Sequence, residues 1–506
     1  MRTLESRLIW IVVATALVLY VTIGLVFLRT WSTADYWEHL AVIGAFAGNL
    51  LQPENPYTGP GNLTHLFTPY HLFWGLVVRL TGLHPIHLTP VVGLTNVVMF
   101  LVACRAVSRR FLGDSKYATA TCLVLLLAWV IPWEWSGFYN FGMLPGTIVY
   151  PYWFAFPLAL IIVSRYAESD SRSWGWLVAF GFGAALTFAI HPITGAFLFL
   201  SMVLKALLER DVGFPIRLGL IGTVVGAALL PLLWPYFPVM GAILASSRYE
   251  MIGFESNYYQ FYENLHVRML PGILAVPAIC TAIKSRKFDF LTLGLAVFGL
   301  IFAANYVTTR SAVGGRLIVF VIFFLQILIV RSLIMWRGTR YGAIIVLLSL
   351  FIVGGAGSLQ ARASLNRLIL VSGDRGPSKH RDSLIAGTNF EMLEQFQAMS
   401  EHLSTKDVVL SYPMESWVLP SLLGCRVVTV AHANPFMEDF TTRKNVVRRF
   451  FSFRMSKAET IEFFNNYRIT HALITKDSYN KLSALLPDYK LEWSSGGYVL
   501  LSLTNR

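Results

Sequence analysis

The sequence predicts a mainly α-helical polytopic membrane protein carrying a small α/β domain at its C-terminal end. Three observations predict it. The 506 residues are 55% hydrophobic and only 14% charged, where soluble domains are about 25% charged, and the apolar residues gather in blocks long enough to cross a bilayer. The loops between these blocks alternate in charge. Beyond about residue 358 the charge rises and the apolar runs shorten to strand length.

Eleven blocks read as spans: 8–28, 88–104, 117–132, 148–164, 174–190, 193–208, 217–236, 270–283, 290–306, 316–333 and 341–357. The first has no small-residue cleavage site behind it and reads as a retained span rather than a cleaved signal peptide. Arg2 and Arg7 precede it. Arg105, Arg109, Arg110 and Lys116 follow the second span, and Arg165 and Arg172 the fourth. Lys205, Arg210 and Arg217 accompany the end of the sixth, Lys284, Arg286 and Lys287 the eighth, and Arg331, Arg337 and Arg340 the tenth. Every second loop is short and basic, so the positive-inside rule places these loops in the cytoplasm. The net charge of +13 is then a matter of topology, and nucleic acid is not implied as a partner. The four cysteines, Cys104, Cys122, Cys280 and Cys425, form neither a disulfide framework nor a metal-ligand spacing.

The opposite loops, 29–87, 133–147, 191–192, 237–269 and 307–315, together with everything after about 358, are expected outside the cytoplasm. Two domains follow: a transmembrane domain over 1–357, with the long first external loop 29–87, and an external α/β domain over 358–506. Within the loop, 36–51 and 66–82 are too short or too polar to span and read as helices lying along the membrane face. In the first of them Leu40, Ile43, Phe46, Ala47 and Leu50 share one helical face. In the C-terminal domain 407–412, 426–430 and 471–476 read as buried strands, 488–493 and 497–502 as a hairpin, and 390–403, 440–452 and 456–466 as helices. The cluster Arg443, Lys444, Arg448, Arg449, Arg454 and Lys457, interleaved with Phe450, Phe451 and Phe453, reads as a solvated basic face or a surface for anionic lipid or glycan.

The polar residues that suggest chemistry gather on the external side. Asp35, Glu38 and His39 open the first loop. An ionisable residue at the membrane face usually has a partner or a task. The competing reading is a helix cap, in which Ser32, Thr33 or Asp35 begins the helix and Glu38 completes a capping box. Arg310 and Arg316 flank Ser311-Ala-Val-Gly-Gly315, a turn that suits two guanidinium groups gripping a phosphate, or simply two arginines snorkelling to headgroups. Arg79 is another candidate for a phosphate. His191, in His191-Pro-Ile-Thr-Gly195, and Glu134, in Pro132-Trp-Glu-Trp-Ser136, face the same side. No glycine-rich phosphate loop precedes a helix, so a nucleotide-sugar donor lacks its usual cradle.

A first span, a long external loop opening with an acidic residue, and two membrane-parallel helices resemble the GT-C superfamily of polyprenyl-phosphate-sugar-dependent glycosyltransferases. Thr68-Pro-Tyr-His-Leu-Phe-Trp-Gly-Leu-Val-Val-Arg-Leu-Thr-Gly82 is similar to the aromatic, Pro-containing segment of the ArnT and protein-mannosyltransferase group, and Cys104-Arg-Ala-Val-Ser-Arg-Arg-Phe-Leu-Gly113 resembles the tail of that group's second span. The resemblance covers the first 200 residues or so in topology and about forty in motif. One departure stands out: many members carry adjacent acidic residues, whereas Tyr36 follows Asp35 here. The resemblance implies Asp35 as general base, Glu38, His39, Glu134 and His191 as supporting or acceptor-binding residues, and a cationic partner for the donor phosphate, for which Arg310, Arg316 and Arg79 stand ready. It implies no required cofactor, leaves room for a divalent cation at Asp35 or Glu134, and gives as partners a polyprenyl-phosphate-linked sugar and a lipid, glycan or protein acceptor, in a membrane of the bacterial or archaeal cytoplasmic type. Two other readings remain open: a flippase for lipid-linked saccharide, which the scarcity of charge in the spans disfavours, and a scaffold without catalysis.

Overall fold

A computed structural model describes residues 2–27, 34–59, 63–129, 137–141, 144–166, 168, 173–209, 213–239, 241, 261–308, 311–336, 390–413, 415–429, 439–486 and 488–503. The chain is a polytopic, mainly helical membrane protein with a small C-terminal sheet. Five stretches are long and apolar enough to cross a membrane: Ser6–Leu25, Pro85–Phe111, Phe214–Leu233, Phe290–Val307 and Val313–Trp336. Five shorter apolar stretches, Ser115–Leu127, Pro151–Arg165, Trp174–Ile190, Pro192–Leu208 and Leu270–Ser285, occupy the other expected spans. The eleventh, 341–357, lies outside the described residues. Two compact units result, one from Met1–Gly24 and Gly93–Leu370, the other from Leu25–Val92 and Val371–Arg506.

The helices in chain order are α1 (Arg2–Phe27), α2 (Ala34–Gly48), α3 (Pro69–Thr81), α4 (Pro85–Phe111), α5 (Ala118–Leu127), α6 (Pro151–Arg165), α7 (Trp174–Ile190), α8 (Pro192–Leu208), α9 (Phe214–Leu229), α10 (Val276–Ser285), α11 (Phe290–Val307) and α12 (Ile318–Trp336). The first unit is built on α12. Every residue from Ile318 to Val330 is buried, as a helix apolar on all sides requires. Its one polar residue in that run, Gln326, donates to the carbonyls of Val124 (3.3 Å) and Leu125 (3.1 Å), so its burial leaves the amide group partnered. Phe156, Phe197, Phe298, Phe320, Phe323 and Phe324 form the aromatic core between α6, α8, α11 and α12, with Phe197 stacked on Phe320 at 4.4 Å.

The loops read as basic meet one another at one end of this unit. Arg110 reaches Glu168 and Glu209, each at 3.4 Å. Arg331 pairs with Asp289 at 2.6 Å and donates to the Phe111 carbonyl at 3.1 Å, while Asp289 also makes the capping box of α11. Residues from five different even-numbered loops therefore share one end, which agrees with the alternation read from charge.

In the second unit the C-terminal helices are α13 (Phe390–Ala398), α14 (Glu415–Leu423), α15 (Phe440–Phe451), α16 (Lys457–Asn466) and α17 (Lys476–Ser483), and the strands are β1 (Val408–Leu410), β2 (Arg426–Val427), β3 (His471–Thr475), β4 (Tyr489–Ser495) and β5 (Tyr498–Leu503). They form a mixed sheet in the order β2-β1-β3-β5-β4, parallel through β2, β1 and β3 and antiparallel from there on. Leu410, Val447, Phe450, Phe464, Ile474 and Leu501 make its core. The expected strands and helices are all present, the strands β1 and β2 shorter than their apolar runs.

The same unit contains α2 and α3. Residues Tyr36 to Ile43 of α2 are all buried within the chain. The expected single apolar face on a membrane surface is thus replaced at this end by contacts on several sides, with α3 and with α14. At the crossing with α3, a Cβ on Gly75 would run into Phe46 and approach the Ile43 carbonyl to 3.1 Å. On its outer side α3 does present an apolar stripe, Phe73, Leu76 and Leu80.

Candidate functional site

Asp35, Glu38 and His39 fall three and four residues apart, the spacing that puts side chains on one helical face. The helix begins at Ala34, so Asp35 lies within the first turn rather than at the cap position. Asp35 is half-buried, while Glu38 and His39 are 8% and 9% exposed. A carboxylate so enclosed needs a donor, and Glu38 has one from far along the chain: the Trp417 indole N–H of α14 donates to its Oε1 at 2.6 Å.

His39 looks the other way, to α3. Its Nδ1 lies 2.9 Å from Nε2 of His71, and Nδ1 of His71 lies 2.8 Å from the Thr68 hydroxyl. The two imidazoles are stacked at 5.0 Å. Burial pushes the fully enclosed His71 well below the ordinary histidine range, and His39 and His65 push it further, so His71 is neutral and carries one ring proton. The row Thr68–His71–His39 is thus a hydrogen-bonded chain of groups that can all give and accept a proton.

The loop between α2 and α3 adds Tyr57. Asn55 Oδ1 accepts from the backbone N–H groups of Tyr57 (2.9 Å) and Thr58 (3.3 Å), an Asx turn of the kind asparagine favours. The loop is held from outside by the Val427 N–H on the Tyr57 carbonyl (2.8 Å) and by Arg426 on Glu54 (2.6 Å). Gly59, at φ +80°, leaves room for the Arg426 side chain that a Cβ would meet at 2.9 Å. The Tyr57 side chain is 6% exposed, and its hydroxyl has no hydrogen-bond partner among the described residues. Burial first, then the negative charges of Glu38 and Asp35, hold this phenol well above the ordinary tyrosine range, so it remains a proton donor beside two carboxylates.

Of the other candidate residues, Arg79 is exposed and donates to the Gly48 carbonyl at 3.4 Å. Gly48 is thirteen residues after Asp35 in α2 (48 − 35), about 20 Å along the axis, so Arg79 marks the opposite end of that helix. His191 caps α8: its Nδ1 accepts from the Thr194 N–H at 3.3 Å and pairs with the Thr194 hydroxyl at 2.8 Å, with Pro192 in the first turn and the Tyr152 ring 5.5 Å away. Arg316 lies just before α12. The glycines ahead of it are not a loose turn. They belong to the helical turn Ala312–Gly315, where a Cβ on Gly314 would run into Asn305 and one on Gly315 would meet Phe261 at 2.8 Å. Glu134 and Arg310 lie outside the described residues. Among the described residues no three of His, Cys, Asp and Glu are grouped to hold a metal ion.

Sequence reasoning missed Trp417, Tyr57 and the role of His71. Only Tyr57 left a local signal, in the Asn-Pro-Tyr turn.

Neither a protein-family model nor a curated protein sequence matches this chain. Solved structures do resemble it. ArnT from Cupriavidus metallidurans bound to undecaprenyl phosphate is 15% identical, with a TM-score of 0.51 over 97% of this chain and 98% of that one. The oligosaccharyltransferase AglB from Archaeoglobus fulgidus, in complex with an inhibitory peptide and a dolichol-phosphate, is 12% identical, with a TM-score of 0.45 over 96% of this chain and 71% of that one. The fold is thus shared with ArnT over nearly the whole of both chains.

Proposed function

We propose that this chain is a membrane glycosyltransferase that moves a sugar from a polyprenyl phosphate to an acceptor hydroxyl outside the cytoplasm. The observation that carries the reading is the acidic face of α2, Asp35 with Glu38, set in a fold shared over nearly its whole length with ArnT. Asp35, the more accessible of the two carboxylates, takes the acceptor proton. The acceptor oxygen forms a bond to the anomeric carbon as the bond from that carbon to the phosphate oxygen breaks, and the electron pair leaves with the lipid phosphate. The leaving group is already a stable anion, so the need is for positive charge beside it, and Arg310 and Arg316 are the candidates on this chain. Glu134 and His191 are further candidates for binding the acceptor. The end of the first unit where Arg110 and Arg331 make their ion pairs faces the cytoplasm on the positive-inside rule. The alternation of basic loops supports the reading that Asp35 and the 358–506 domain lie outside the cytoplasm.

The test is transfer by the purified full chain from radiolabelled polyprenyl-phosphate sugars, wild type against Asp35→Asn. The substitution keeps size and hydrogen bonding but removes the base, and a loss of at least 100-fold in kcat is expected, as is typical of a general base. Undiminished transfer by Asp35→Asn refutes the assignment. Movement of the lipid-linked sugar across vesicles with no transfer refutes the enzyme reading in favour of a carrier.

A further inference from the structure

The Glu38–Trp417 hydrogen bond joins residues 379 apart in sequence. Both ends are buried, Glu38 at 8% and Trp417 at 7% exposed. The indole N–H can only donate, so the Glu38 oxygen accepts, and such a bond is stronger to an ionised carboxylate than to a neutral carboxyl. The element behind Trp417 is firmly held. Residues Glu415 to Leu422 of α14 are all buried. The Ser416 N–H donates to the Tyr412 carbonyl at 3.0 Å, the Ser411 and Ser416 hydroxyls pair at 2.7 Å, and the Tyr498 hydroxyl of β5 donates to Glu415 at 3.1 Å. Ten residues on, Val427 and Arg426 fix the loop that carries Tyr57. One segment of the C-terminal domain thus grips the acidic helix and its following loop at three points.

We propose that Trp417 is a positioning residue for the acidic face of α2, its indole N–H keeping Glu38 ionised and fixed in place three residues from Asp35. The proposal rests on the reading of Asp35 as the base. A bulky apolar anchor alone would account for the burial of the ring but not for a donor aimed at the carboxylate, and the two roles separate in experiment. Trp417→Phe keeps most of the ring and removes the donor. A hydrogen bond to the charged form lowers a carboxyl pKa, so its loss raises that of Glu38. Transfer that is faster with Glu38 ionised then loses activity at higher pH than before. The acid limb of the kcat profile is expected to move up by about one pH unit, with kcat near neutrality about tenfold lower and KM for the lipid donor unchanged. In Glu38→Gln, which has no carboxyl to titrate, adding Trp417→Phe leaves the acid limb in place.

A second readout needs no turnover. In protein labelled with 5-fluorotryptophan, the fluorine resonance missing from Trp417→Phe belongs to Trp417, and it is expected to shift in Glu38→Gln and to titrate with pH in the wild type only. An unmoved acid limb in Trp417→Phe, an equal shift in the Glu38→Gln background, or a resonance indifferent to Glu38→Gln overturns the proposal. Full activity in Asp35→Asn instead overturns the assignment of the base and leaves the fluorine result to decide the contact.

Discussion

Replacing Gly75 by alanine adds one methyl group at the crossing of α2 and α3. The new atom would run into Cβ of Phe46 and stand 3.1 Å from the Ile43 carbonyl and 3.3 Å from the Ala47 nitrogen. Backbone and Cβ atoms cannot rotate aside, so the helices must separate. Overpacking of this kind costs about 1–3 kcal/mol. Alanine returns about 1 kcal/mol through its better helix propensity. The net effect is a loss of up to about 2 kcal/mol, or up to about 8 °C in the unfolding midpoint of a unit of this size. Thermal unfolding of the detergent-solubilised chain measures it, with Gly222→Ala as the contrast, since a Cβ there meets no protein atom within 4 Å. A Gly75→Ala midpoint that rises, or matches that of Gly222→Ala, refutes the close crossing and with it the geometry that brings His39 to His71.

Two further outcomes follow from the described contacts. His71 is neutral in the folded chain, so the unfolded state takes up a proton near pH 6.5 that the folded state refuses; stability is therefore retained above that pH and falls as pH drops through it, by an amount on the order of 1 kcal/mol between pH 7.5 and 5.5 from this residue. Unfolding midpoints at the two values, wild type against His71→Gln, check the sign, and a variant that loses as much as the wild type refutes it. Arg331→Met removes the 2.6 Å pair with Asp289 and the donor to the Phe111 carbonyl; since Asp289 is 41% exposed, water softens the loss, and a destabilisation of about 1–2 kcal/mol is expected in the same assay.

Much of this architecture is legible from residue order alone, because a bilayer punishes charge. The spans 174–190 and 290–306 were read to within a residue of α7 and α11, since charged or breaking residues bound each run. Helix α14 was not read. Eight of its residues are buried on all sides, so it has no polar face to give a period, and Pro420 within it argues against helix. Strands β1 and β2 are shorter than their apolar runs because parallel pairing joins them over only two residues each. Of the site, Asp35, Glu38 and His39 were legible as one polar cluster opening the first external loop, but their partners were not. Trp417 lies hundreds of residues away, and the apolar periodicity of α2 spoke only of a single buried stripe, whereas the helix is gripped from two sides.

That grip has a consequence for how the protein is made. On the ribosome Trp417 follows Glu38 by 379 residues, and Arg426 and Val427 come later still. Through most of synthesis Glu38 has no indole to meet, and the loop bearing Tyr57 has no strand to dock on. The acidic face is therefore completed long after α2 is translated, and a chain cut short after α12 would keep its described membrane helices while never completing that face.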